Sequence, residues 1–149
     1  MSLFFQQGKL SIKAEFLMAL LGLVGLTDAI YLTIHHYTAK PVPCSLVDGC
    51  EKVLTSDYAV MFGMPIALFG AIAYLSVIIL TLLSVFNKKF HYLLFIQTAT
   101  MAIVSAWLVY IQAFVIESFC QFCLLSAAVS FTLFAISLFN LAKIIAKSE

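Results

Sequence analysis

Cys120-Gln121-Phe122-Cys123 places two thiols three residues apart, a spacing at which they can close to a disulfide and reopen by thiol exchange. That is two-electron redox chemistry. Ser118 and Gln121, three residues apart, read as a capping box that starts a helix at about Phe119. Both cysteines then fall in or near a first helical turn, where unpaired N–H groups and the helix dipole favour a thiolate. Cys120 is therefore expected to be more acidic than a free cysteine. Two further thiols, Cys44 and Cys50, flank the turn signal Asp48-Gly49 and are close enough to pair through it. Four cysteines allow three pairings, and spacing alone does not choose among them. Pro41 and Pro43 hold the chain extended before Cys44, nine residues beyond His35, which gives it a tether of up to roughly 30 Å.

The elements that must position these thiols are membrane helices. The chain has 149 residues, 64% of them hydrophobic and 10% charged, a balance that leaves no polar surface for a soluble domain. Four apolar stretches, Phe16 to His35, Phe62 to Phe86, Tyr92 to Ile116 and Phe119 to Ala142, each meet the requirement of about 20 residues per span. The expected fold is an all-α integral membrane protein, one domain over residues 1–149, with a four-transmembrane-helix bundle. An outer loop at about 36–61, including a half-helix from Glu51 to Tyr58, covers the site. The first stretch follows Lys9 and Lys13 but is too long for a secretory signal and is read as a retained span.

Lysines orient the bundle, because the chain has no arginine. With both termini cytoplasmic, the inner segments carry Lys9, Lys13, Lys88, Lys89, Lys143 and Lys147, against Lys40 and Lys52 outside. All four cysteines then lie on the periplasmic or extracellular side of a bacterial-type plasma membrane, where disulfides persist. The near-zero net charge points to no nucleic acid. Residues 1–15 read as an orientation signal without chemistry.

Within the spans, Asp28, Tyr31 and His35 form a polar stripe on the outer half of the first helix. Asp28 is either a functional acid or a packing residue hydrogen-bonded to a neighbouring helix. Gly63, Ala67 and Ala71 recur every four residues as a packing seam, with Pro65 in a first helical turn. Trp107 and Tyr110 read as interfacial anchors. In the fourth span Cys123, Ala127 and Ser130 share one face beside Ser126, and their small side chains leave room for a flat ring.

Tyr31-Leu32-Thr33, Cys44 and Cys50, Val53-Leu54-Thr55-Ser56 with Tyr58-Ala59, Gly63-Met64-Pro65-Ile66 and Cys120-Gln-Phe-Cys123-Leu-Leu-Ser-Ala together resemble the vitamin K epoxide reductase family in its bacterial, disulfide-generating form. The resemblance covers almost the whole chain. It implies a bundle around a quinone, ubiquinone or menaquinone, with Cys120 and Cys123 as the active pair and Cys44 and Cys50 as the shuttle pair. It also implies that Ser56 covers or contacts the quinone, beside Cys123, Ala127 and Ser130. Animal members reduce vitamin K epoxide and carry an Asn and a Tyr near the quinone head, where Ile66 and Ala127 stand here. Many bacterial relatives carry a fused thioredoxin-like domain, and with the chain stopping at Glu149 the expected partner is a separate thioredoxin-like protein.

The expected function is thus a quinone-dependent thiol-disulfide oxidoreductase that reoxidises an extracytoplasmic partner. The alternatives are quinone epoxide reduction, a scaffold stapled by two disulfides, and a four-cysteine metal site, whose C-x5-C plus C-x2-C spacing is irregular for zinc. No metal is expected.

Overall fold

The computed structural model describes residues 2–149, with side chains from Ile12 onward; Met1 and the side chain of Lys9 lie outside the described residues. Helix α1 (Ser2–Thr38) ends where Ala39 takes a left-handed conformation, φ 51°. A short helix α2 (Cys50–Leu54), a 3-10 turn (Asp57–Ala59) and a two-stranded ribbon, β1 (Val60–Met61) and β2 (Met64–Pro65), precede α3 (Ile66–Phe86). Helix α4 (Lys89–Ile111) runs into a π-helical turn (Gln112–Ile116), and α5 (Gln121–Ser148) closes the chain. Helix α1 packs on α3 and α5, and α4 on the same two, so the four long helices form a closed bundle. Each is long and apolar enough to cross a membrane.

Side chains are distributed as lipid demands. Leu20, Ile72, Ile79, Leu93, Ile103 and Phe139 face outward, while Thr81, Thr98, Ser130 and Ser137 are buried. Lipid tails are as apolar as leucine, so the outward face costs nothing and association relies on close packing and hydrogen bonds between helices. Two of the buried hydroxyls donate within their own helices, Thr81 to Val77 O at 2.7 Å and Thr98 to Leu94 O at 2.9 Å. At the end of the bundle away from the cysteines, Glu15 Oε1 lies 3.5 Å from His91 Nε2, both nearly buried. The segment read as an orientation signal is part of helix α1, and its last residue, Glu15, joins the interhelical packing.

Several expected boundaries and packing contacts shift. The second helix starts at Ile66 rather than Phe62, because Phe62 (φ 54°) and Gly63 (φ 79°) make a two-residue hairpin turn between β1 and β2. Positive φ at both positions is the type I′ geometry that suits the twist of paired strands. Gly63 therefore belongs to the turn, with nothing within 4 Å of a Cβ placed there, and Pro65 precedes the helix instead of sitting in its first turn. The close helix packing lies on α1. A Cβ on Gly25 would clash with the edge of the Tyr74 ring, and one on Gly22 would come within 2.8 Å of Ile78 Cγ1. Tyr74 is buried in the core with Met18, Ala29, Val77, Leu94 and Leu133.

Gly25→Val should overpack this contact at a cost of about 1–3 kcal/mol, read as a lowered melting temperature in detergent. Gly70→Ala is the control, since its Cβ would meet Ala29 Cβ at an ordinary 3.8 Å. That variant should keep or raise the wild-type melting temperature.

Candidate active site

The loop after α1 folds back over the turn that precedes α5. Gly49 sits at the start of α2 against the backbone of Phe119, where a Cβ would approach Phe119 O to 2.6 Å and Phe119 N to 2.9 Å. Only a residue without a side chain allows that approach. It brings Cys50 against Cys120, both fully buried with Val53, and Cys44, Ile116, Phe122 and Cys123 pack around them. The Leu46 N–H donates to Gln121 Oε1 at 3.0 Å and fastens the loop to α5. Gln121 thus reaches across to the loop and makes no capping box with Ser118. The helix starts at Gln121, two residues later than expected, with Cys120 as its N-cap residue in extended conformation.

Of the three possible pairings, the structure holds Cys44–Cys50 as a disulfide, with Cα atoms 6.1 Å apart, and leaves Cys120 and Cys123 as thiols. Cys44 is half-buried and Cys50 is enclosed. One pair is oxidised and its neighbour is reduced. The disulfide also takes two sulfurs out of any four-thiolate ligand set, and among the described residues no three His, Cys, Asp or Glu side chains converge on one point.

Cys120 is held through its backbone. Its N–H donates to Gln112 Oε1 at 3.0 Å, and the N–H of Ser118 donates to Gln112 O at 3.1 Å. The π-helical turn carries Gln112 into this position, and Glu117, left-handed at φ 54°, reverses the chain after it. A hydrogen bond from the Cys123 thiol, with the N–H groups of Cys123 and Phe122 facing the sulfur, outweighs burial and lowers the Cys120 thiol to about 7. At neutral pH a large fraction of Cys120 is therefore thiolate, the form that exchanges disulfides. Gln112 was legible only as a polar member of the third span. The available signal was its cost, since an amide inside an apolar helix needs a partner.

Cys123, Ser126, Ala127 and Ser130 line one cavity of about 900 Å³, which Val53 and Ser56 also line. That volume falls in the range of about 300–1,000 Å³ typical of small-molecule sites. The Ser56 hydroxyl donates to Val53 O at 2.6 Å, so it offers the cavity an acceptor and a cover rather than a free donor. Tyr74, which the sequence reading passed over, lines the wall beside Ser126 and Ser130. Its hydroxyl lies 2.7 Å from Ser126 O, 2.8 Å from Ser126 Oγ and 3.0 Å from Ser130 Oγ, tying α3 to α5 along the cysteine face. From α1, Asp28 and His35 line the same cavity, while Tyr31 turns outward, its ring 4.3 Å from that of His35 and 5.3 Å from that of Phe122. A shallow apolar groove of about 560 Å³ runs between α1 and α5 on the other side of Asp28.

A bundle of four membrane-spanning helices whose loop disulfide rests on a CxxC thiol pair defines a class, and residues 16–138 match the model of the vitamin K epoxide reductase family. The chain belongs to that family. Over 120 residues, 74% of its length, it is 35% identical to LTO1 of Arabidopsis thaliana, a thiol-disulfide oxidoreductase; it spans 32% of that relative's length.

With the Cys44–Cys50 disulfide intact, the ultraviolet absorbance of thiolate should rise through a step centred at about pH 7. Cys123→Ala removes the leading hydrogen bond to Cys120 and should move that step up toward the ordinary thiol value of about 8.5. A step that stays in place would show that the backbone N–H groups alone hold the thiolate.

Proposed function

We propose that this protein is a membrane thiol-disulfide oxidoreductase that takes electrons from a thioredoxin-like dithiol protein on the extracytoplasmic side and delivers them to a membrane quinone, ubiquinone or menaquinone. One observation carries the reading: an oxidised pair, Cys44–Cys50, is packed against a reduced pair, Cys120 and Cys123, and Cys123 opens on a large cavity. The family membership and the thiol-disulfide oxidoreductase activity of LTO1 support it. Both termini are placed in the cytoplasm by the lysine asymmetry, with the cysteine end of the bundle outside.

The cavity's donor set and size fit a quinone head. Small Ala127 and Ser130 leave a flat wall, Val53 and Ser56 roof it, and Phe69 faces it from α3. A quinone bound there supplies a two-electron, two-proton acceptor. The protein's own residues carry the rest. The partner's thiolate attacks Cys44, the more exposed sulfur of the loop disulfide, and releases Cys50. The Cys50 thiolate attacks Cys120 in a Cys120–Cys123 disulfide and releases Cys123. The partner's second thiolate attacks its mixed disulfide with Cys44, so that the partner leaves oxidised and the Cys44 thiolate is freed. Cys44 then attacks Cys50, restoring the loop disulfide and leaving Cys120 and Cys123 reduced, the state of this structure. Docking of the loop excludes water from the buried sulfurs, so thiolates formed there meet sulfur rather than solvent.

The double variant Cys44→Ala/Cys123→Ala keeps only Cys50 and Cys120, and mild oxidation should join them in one intramolecular disulfide by peptide mapping. Failure of that bond to form would break the relay. Ala127→Phe should abolish binding of a quinone analogue and quinol formation, while the protein still folds and its loop disulfide still exchanges with a small dithiol. Unchanged quinone kinetics in this variant would move the pocket off this face of α5.

A further inference from the structure

Asp28 lies within the membrane-spanning part of α1 with a carboxyl oxygen that nothing satisfies. The residue is 7% exposed, and its Oδ2 has no hydrogen-bond partner. Tyr74, the natural donor beside it, is already engaged with Ser126 and Ser130. Asp28 lines the same cavity as Cys123, Ser126, Ser130 and Tyr74. An acid kept for packing would be hydrogen-bonded, because an orphaned buried polar atom costs about 1–3 kcal/mol. Ionisable groups within membrane spans that face a cavity are commonly part of a proton path.

Quinone reduction consumes two protons with its two electrons. A Cys120 thiolate brings none of them and the Cys123 thiol brings one. We propose that the carboxyl of Asp28 donates the second proton when the Cys120/Cys123 pair is oxidised, an inference that rests on the cavity being the quinone site. In this step Cys120 and Cys123 give up two electrons and form their S–S bond. The Cys123 S–H proton and the Asp28 carboxyl proton pass to the two quinone oxygens, a quinol leaves, and Asp28 remains as carboxylate. One negative charge stands on each side, on Cys120 before and on Asp28 after. Asp28 stays carboxylate while the pair is oxidised and regains its proton when the pair is next reduced, from the outer end of the cavity, where the exposed Glu51 and Asp57 bring the lining to water.

The inference is tested on the whole chain in detergent, with Asp28→Asn and Asp28→Glu beside wild type and the melting temperature measured for each. First, with no quinone present, the infrared difference between the Cys120/Cys123 dithiol and disulfide states should contain a protonated carboxyl band. That band should shift in Asp28→Glu and vanish in Asp28→Asn. Second, quinol formation should fall about 100-fold in Asp28→Asn, the scale of a lost general acid, and recover in part on adding formic acid. Asp28→Glu should keep most of the rate, and in both variants binding of a quinone analogue should weaken far less than quinol formation slows in Asp28→Asn. A redox difference without a carboxyl band from Asp28, or an Asn variant as fast as wild type, overturns the inference. Should the Asn variant not fold, the infrared band of wild type and its shift in Asp28→Glu decide the matter. Wild-type protein that fails to reduce quinone at all would remove the quinone reading and this inference together, whereas wild-type turnover matched by the Asn variant removes the inference alone.

Discussion

The seating of Gly49 on the backbone of Phe119 is the contact on which the site depends. A disulfide relay requires sulfur atoms from two distant parts of the chain to meet without water between them, and here those parts are a loop and a helix start separated by two membrane crossings. A side chain at position 49 would press on the Phe119 backbone and force the loop outward, drawing Cys50 away from the buried cluster it shares with Cys120. The Leu46 to Gln121 hydrogen bond fixes the same docking from the other flank. Neither contact is strong alone. Their effect is geometric, since disulfide exchange demands that the attacking sulfur approach along a narrow path.

Beneath the loop, the membrane sets different rules. Apolar side chains can face lipid freely, so the bundle interior is where polar groups must find partners. Gln112 finds the backbone of Cys120, Tyr74 finds Ser126 and Ser130, and buried threonines find their own helix carbonyls. Each bond orients something: the first holds a reactive cysteine, and the second aligns the cavity wall below it. Against this pattern the free oxygen of Asp28 stands out physically, because among the described residues it is the buried side-chain oxygen left without a hydrogen-bond partner.

The acidity of Cys120 comes first from its neighbour along the turn, since its sulfur accepts a hydrogen bond from the Cys123 thiol. Its place at a helix start adds the N–H groups of Cys123 and Phe122. The two cysteines are therefore unequal, one suited to exchange with the loop and the other placed at the cavity.

Much of this was legible in the chain itself. Hydropathy and span length imply four membrane helices, because lipid leaves so few other options for backbone hydrogen bonds. The CxxC pair and the grouping of Cys123 with Ala127 and Ser130 follow from helical periodicity, which is a local property. What periodicity could not supply was any contact made across the bundle. Ser118 and Gln121 have the spacing of a cap, yet the Gln121 amide is better used on Leu46, and the local rule lost to a partner 75 residues away. Gly63 has the spacing of a helix seam, but the hairpin needs its positive φ, and the close approach between helices fell to Gly25 and Tyr74. Likewise spacing left three cysteine pairings open, and the structure closes Cys44 on Cys50 while leaving Cys120 and Cys123 as thiols beside them. The choice of partners is a matter of distance in the folded bundle, and only the tertiary structure decides it.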